Sequence, residues 1–216
     1  MDNIDFKLKT GSLHAIVGGS NSGKSTLALS ILKRRHEIFD KPIDTVYYIN
    51  THWQPAYQEL AISDPNVIFS TSLETVQDHA VNNCIIVLDD VTSLKEKNSK
   101  ANKFLEELAL HGAHHRNITV IYFLFQLFHP ALRTITLSTA YFTIFDFKRD
   151  RSCISYFSRQ ICPSRSRFLT DAYVKATEGR SFGYLHINLH PHDQTRYWVR
   201  SEIFPSENTR IYIAKE

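Results

Sequence analysis

The chain has 216 residues, 43% hydrophobic and 22% charged, with 25 Lys and Arg against 22 Asp and Glu, a formal net charge of +3. These proportions are those of an ordinary globular protein, and they exclude a collagen, a coiled coil or a disordered chain as its main character. No run approaches the ~18 apolar residues of a membrane span, and the opening MDNIDFKLKTGS lacks the apolar stretch of a signal peptide.

In chain order, Asp5 to Lys9 alternates polar and apolar residues and reads as a short edge strand. Leu13 to Val17 reads as a buried strand, followed by a glycine-rich loop and a helix over 24–35. Thr45 to Asn50 is rich in β-branched and aromatic residues and reads as a strand, as does Val67 to Ser70. Cys84 to Leu88 (CIIVL) and Ile118 to Phe125 (ITVIYFLF) are continuous apolar runs, expected where a strand is buried on both faces. Helical spacing covers 99–115, with further helices over 150–160 and 166–177. Ala140 to Phe145, Phe182 to Leu189 and Arg196 to Ile203 complete the strands. Strands alternating with helices predict an α/β fold with a mainly parallel sheet, carrying short added strands at both ends. The length suits one domain over residues 1–216.

Residues 18–26 read GGSNSGKST, so Gly18, Gly23, Lys24 and Ser25 satisfy the G-x-x-x-x-G-K-[ST] pattern. Its setting, between an apolar strand and a helix, is the one the chemistry needs. Glycines let the backbone turn its N–H groups toward a phosphate chain, and the helix N-terminus adds partial positive charge. Gly18, Gly19, Ser20, Asn21, Ser22, Gly23, Lys24, Ser25 and Thr26 are therefore the candidate nucleotide-binding residues. Lys24 would reach the β- and γ-phosphates of ATP, and Ser25 would give its hydroxyl to Mg²⁺.

CIIVL ends in Asp89-Asp90, an apolar strand tipped by acids. Asp89 is the candidate for holding the Mg²⁺ shell, and Asp90 for orienting or deprotonating the attacking water. An Asp at a strand end can also simply cap a helix. Gln126 follows the strand ITVIYFLF and is a candidate sensor of the γ-phosphate, or else an ordinary loop glutamine.

The opening IDFKLKTGSLHAIVGGSNSGKSTL resembles an ABC transporter ATPase domain, but no LSGGQ-like signature follows, and the Lys24–Asp89 spacing is short for that family's helical insert. From Asp89 onward a second resemblance takes over. IIVLDDV, HGAHHRNITVIYFLFQLFH, LRTITLSTAYFTIFDFKRDR, FSRQICP and FGYLHINL resemble the viral DNA-packaging ATPases of the FtsK/HerA superfamily, as found in adintoviruses and Polinton-like elements and, more distantly, poxviruses. The resemblance runs from about Gly11 to Pro205. It implies a RecA-like core assembling as a pentameric or hexameric ring that spends ATP to drive double-stranded DNA into a capsid. It also implies a capsid or portal-vertex partner, and a place at the assembling virion in the host nucleus or cytoplasm, without secretion. By the same resemblance Asp90 is the catalytic acid, Gln126 the sensor, and a neighbouring subunit's arginine completes the site, with Arg149, then Arg133, then Arg159 as candidates. Phe125 stands where relatives often carry a small or hydroxyl residue. A mobile-element helicase or translocase, an ABC-like transport ATPase, and a nucleotide-binding switch are the alternatives.

A ring translocase needs basic groups facing its pore. Lys95, Lys97, Lys100 and Lys103 follow the acidic strand tip and are one candidate set, though such a stretch also suits a solvated helix start. Residues 148–167 are a second basic block, with Lys148, Arg149, Arg151, Arg159, Arg165 and Arg167 against Asp150. His111, His114, His115 and Arg116 read as a helix C-terminal cap and lack partners at zinc-ligand spacing. His186, His190 and His192 read as structural or exposed. Cys84, Cys153 and Cys162 show no paired or metal-like spacing.

Overall fold

The computed structural model describes residues 6–77, 82–90, 99–108, 113–193, 195–205 and 207–214. Its strands are β1 (Leu13–Val17), β2 (Thr45–Ile49), β3 (Val67–Ser70), β4 (Cys84–Leu88), β5 (Ile118–Leu124), β6 (Tyr141–Phe145), β7 (Tyr184–Asn188), β8 (Val199–Ser201) and β9 (Arg210–Ile211). They form one sheet in the order β3-β2-β4-β5-β1-β6-β7-β8-β9. β3 to β6 pair in parallel, and β7, β8 and β9 add on antiparallel.

Every residue of β1, β4 and β5 is buried. Because side chains alternate between faces, each strand feeds two cores. Ala15, Val17, Ile86 and Leu88 enter the core shared with Ile154, Phe157, Leu169 and Ala172. Ile16, Ile85, Val87, Ile121 and Phe123 enter the core shared with Leu27, Ile31, Leu32, Tyr57 and Leu60. Each buried Val, Leu, Ile or Phe side chain among them contributes about 1.5–3 kcal/mol on burial. The sheet therefore lies between two helical layers. On one face are α1 (Lys24–Lys33) and α2 (Pro55–Ser63). On the other are α3 (Ser99–Glu107), α4 (Ser152–Ile161) and α5 (Ser166–Thr177).

Several expectations need correction or trimming; among them, the strands expected over 182–189 and 196–203 shorten to β7 and β8, with a 3-10 turn over Thr195–Tyr197. The edge strand expected at the N-terminus is a single bridge, Leu8 to Phe39. Its partner ends the short helix Arg35–Ile38, so only Leu8 N to Ile38 O and Asp40 N to Leu8 O can form. The helix expected over 24–35 stops at Lys33, because Arg35 turns inward to bond Leu32 O, Ile43 O and the Asp64 carboxylate. α2 was not foreseen, although Pro55 at its first turn is a helix-start signal. Within 99–115, helix is observed over 99–107 and 113–115, with 109–112 outside the described residues.

Candidate functional site

Parallel pairing sets Val17 opposite Leu124 and Leu88 opposite Tyr122, so β1, β4 and β5 end on the same edge of the sheet. That edge receives the glycine loop after β1, Asp89 and Asp90 after β4, and Phe125 and Gln126 after β5. A parallel sheet presents its ligand site there.

The loop is anchored by Gly18 N, which donates to Leu124 O at 3.0 Å. A Cβ on Gly18 would lie 2.5 Å from Ser22 Oγ and 2.9 Å from Phe145 Cβ, so only glycine fits. Asn21 and Gly23 take φ of 60° and 103°. These left-handed turns curl the loop over the start of α1. Lys24 is 7% exposed, and its Nζ donates to Gly18 O at 2.8 Å and Gly19 O at 2.7 Å. The ring of Phe125 lies 4.4 Å from that Nζ. Burial holds the Lys24 pKa below its ordinary value, and the charge of Asp89 works the other way.

Tyr57, fully buried on α2, donates from Oη to Asp89 Oδ2 at 2.7 Å. Burial raises the Asp89 pKa and Asp90 adds to the rise. The Tyr57 hydrogen bond and the Lys24 charge oppose it. The Tyr57 phenol is pushed up to about 12, first by burial and then by its bond to Asp89, while Tyr48 and the Ser25 hydroxyl pull it down. Ser25 and Asp89 thus share Tyr57 as a neighbour. Their hydroxyl and carboxylate oxygens are the hard donors that Mg²⁺ takes. Ser22 Oγ, buried in the loop without a hydrogen-bond partner, is suited to a phosphate oxygen.

A cleft of about 1030 Å³ opens beside the loop. Its lining includes Gly19 to Ser22, Gln126, Arg149 and Phe182. The structure therefore brings Lys24, Ser25, Asp89, Gln126 and Arg149 to one edge, with Asp90 half-buried next to Asp89. Arg133 is not among them. It is exposed and lines a separate hollow of about 630 Å³ with Leu127, Phe142 and Phe157. Arg159 is exposed on α4 and stacks on Tyr156 at 4.7 Å. Lys95, Lys97 and His111 lie outside the described residues, as do the side chains of Lys100 and His114, while Lys103 is exposed. His186 is buried with Nδ1 3.0 Å from Thr143 Oγ1, a structural position. No cluster of metal-ligating side chains occurs among the described residues, and no helix of theirs is long and apolar enough to cross a membrane.

Sequence reasoning missed Tyr57, the contact of Phe125 with Lys24, and Phe182. Tyr57 lies 32 residues before Asp89 on an unforeseen helix, and no local pattern marks it. Phe125 was visible only as a departure from the usual small residue.

The glycine loop on β1, with β5 inserted between β1 and the acid-tipped β4, defines a P-loop ATPase with a RecA-like sheet. The ABC transporter family model matches residues 1–124, more than half the chain, and the chain belongs to that family. The match ends at the last residue of β5. It makes the opening resemblance a family relationship, from which the missing LSGGQ-like signature and short Lys24–Asp89 spacing are departures. The alpha-hemolysin translocation ATP-binding protein HlyB of Escherichia coli is 32% identical over 114 residues, 53% of this chain. The chain spans only 14% of the length of that relative. Among solved structures, the genome packaging NTPase B204 of Sulfolobus turreted icosahedral virus 2, in complex with AMP, aligns with a TM-score of 0.56 at 12% identity, over 99% of this chain and 100% of B204. The DNA-packaging ATPase B204 of Sulfolobus turreted icosahedral virus aligns with a TM-score of 0.56 at 15% identity, over 84% and 94% of the two chains. At such identities the likeness is one of fold.

Proposed function

We propose that the chain is a genome-packaging ATPase of the FtsK/HerA type, a single ATPase domain that forms a ring and moves double-stranded DNA into a viral capsid. One observation carries this reading. The likeness to the B204 packaging ATPases extends through the β6–β9 half of the sheet, whereas the ABC transporter match stops at β5. The residue-level resemblance of the segments after Asp89 points the same way.

In this reading the glycine loop binds the phosphates through its N–H groups, and Lys24 leaves its loop carbonyls to meet the β- and γ-oxygens. Ser25 and Asp89 would hold Mg²⁺, which when bound offsets charge on the phosphates. Tyr57 keeps Asp89 aimed at that position. Asp90 orients the attacking water and takes its proton. Gln126 touches the γ-phosphate and reports its loss along β5. Arg149 acts on the nucleotide of its own chain, because it lines that chain's cleft. Arg133, outside that cleft, is the arginine offered to a neighbouring subunit. The other exposed basic residues of 148–167, Lys148, Arg151, Arg159, Arg165 and Arg167, supply sequence-independent phosphate contacts.

A second reading is an ABC-like transport ATPase, favoured by the family match and by HlyB, a translocation ATP-binding protein. ATP hydrolysis by the purified oligomer, with and without long double-stranded DNA and with Lys24→Ala as control, separates the two. The packaging reading expects DNA-stimulated hydrolysis that is lost in Lys24→Ala. Hydrolysis indifferent to DNA at low and moderate salt would favour transport. Strand separation would instead mark a helicase.

A further inference from the structure

The loop between α5 and β7 is pressed against the P-loop. Gly179 takes φ of 68° and Phe182 takes φ of 60°. A Cβ on Gly183 would sit 2.7 Å from Ala176 O and 2.9 Å from Arg180 Cβ, so this turn closes only around a glycine. Its closure leaves Phe182 67% exposed and in the left-handed region, which a bulky aromatic rarely adopts. The ring edge nonetheless lies against the P-loop at Gly23. A Cβ on Gly23 would lie 3.1 Å from Phe182 Cδ1 and 3.6 Å from its Cγ. Packing does not account for an aromatic that stays exposed in a costly backbone conformation. Strain of this kind concentrates at binding sites.

The sheet order says which part of a ligand would meet this ring. β5 and β4, with Gln126, Asp89 and Asp90, lie on one side of β1, and β6 and β7 lie on the other. A nucleotide whose terminal phosphate faces the acids therefore runs across the loop with its nucleoside toward β6 and β7. The cleft there, about 1030 Å³, includes Phe145, Gly179 and Phe182 in its wall and is wide enough for a nucleoside. The exposed aromatics Phe125, which lies against Lys24, Phe128 and Trp53 follow β5 or β2, on the side of β1 that carries the acids, away from the nucleoside.

We propose that Phe182 is the base-stacking residue of this chain, presenting its exposed face to the purine of the nucleoside triphosphate whose phosphates the Gly18–Thr26 loop holds. The inference rests on the P-loop ATPase reading and assigns the base subsite within it. Stacking uses the face of the ring and asks little of the base edge, so ATP and GTP are both accepted.

The test is calorimetric titration of ATP, GTP and inorganic tripolyphosphate into the wild-type chain, Phe182→Ala and Phe182→Trp. Phe182→Ala is expected to weaken ATP and GTP about tenfold and to leave tripolyphosphate unchanged, which also certifies its fold. Phe182→Trp is expected to bind ATP like the wild type. Wild-type affinity for ATP in Phe182→Ala would overturn the assignment. So would an equal loss of ATP and tripolyphosphate, which would make Phe182 a mere support for the loop. A wild-type chain that took neither ligand would remove the P-loop reading, and the inference with it.

Discussion

Tyr57 Oη donates a 2.7 Å hydrogen bond to Asp89 Oδ2, joining helix α2 to the acid at the tip of β4. Tyr57 is fully buried and its ring stacks on Phe69 at 5.4 Å, so the donor cannot swing away. A carboxylate held in this way is positioned before any cation arrives.

Phenylalanine at position 57 keeps the ring and removes the donor. Tyr57→Phe is expected to lower kcat about tenfold and raise the Mg²⁺ concentration needed for half-maximal hydrolysis, the usual scale for loss of a partner behind a metal-holding group. Affinity for ATP without Mg²⁺ should be unchanged. A Mg²⁺ titration of hydrolysis, set beside metal-free ATP binding, checks both parts.

Asp89 has its pKa raised in the fold, with burial as the first cause. A carboxyl with a raised folded value favours folding while it is protonated, and that advantage is lost as pH rises through the folded value. At neutral pH the buried charge is therefore a cost that the fold carries for the sake of the site. Asp89→Asn keeps an acceptor for Tyr57 and removes the charge. It is expected to abolish hydrolysis while raising Tm at pH 7. Thermal melts at pH 7 and pH 4 should show the gain shrinking at the lower pH.

In the proposed ring, the separation of Arg149 from Arg133 predicts opposite outcomes in mixed oligomers. Each alanine variant alone is expected to lose 10²-fold or more in kcat, toward the range for a lost charge-stabilising arginine. Both side chains are exposed, so neither loss should come from unfolding. Mixing Lys24→Ala with Arg133→Ala subunits should restore activity, because an intact P-loop can meet an intact neighbouring arginine. Mixing Lys24→Ala with Arg149→Ala should restore none. Hydrolysis measured across mixing ratios distinguishes the two arginines.

His14 is 6% exposed, stacked 4.4 Å from Tyr141 with Phe39 edge-on at 5.7 Å, and its Nε2 lies 2.9 Å from Ser12 Oγ. Burial pushes its pKa down to about 3, His190 adds to the fall, and a hydrogen bond to the Lys9 backbone opposes it. The unfolded chain takes up this proton below about pH 6.5 while the folded chain does not. The stability tied to a neutral His14 is thus complete above about pH 6.5 and drains away as pH falls toward about 3. Between pH 7 and pH 5 this costs about 2 kcal/mol, from ~1.4 kcal/mol per unit of pKa difference. His14→Phe preserves the stack and is expected to flatten the fall of Tm over that interval. His186, whose pKa burial also lowers, keeps part of the acid sensitivity in place. Melting curves of both proteins from pH 5 to pH 7 check this.

The parts of this protein that were legible as sequence share a physical trait: their chemistry is contiguous. Strands Val67–Ser70 and Cys84–Leu88 and helix Ser166–Thr177 lie where pattern places them, because unbroken apolar runs and helical spacing report burial directly. The short N-terminal pairing is less regular than its alternation suggests, because a strand needs a strand as partner, and Leu8 meets only Phe39 at a helix end.

The amino-acid sequence by itself determined the glycine loop, the lysine and hydroxyl after it, and the acids at the end of an apolar strand. Each is a short run whose own backbone builds the geometry. Only the tertiary structure decided that Tyr57 pins Asp89, that Phe125 covers Lys24, that Phe182 stands against Gly23, and that Arg149 shares the cleft while Arg133 does not. Those meetings depend on the order β4-β5-β1-β6-β7. That order comes from burying both faces of the sheet under helices, a global requirement that no local stretch of residues encodes.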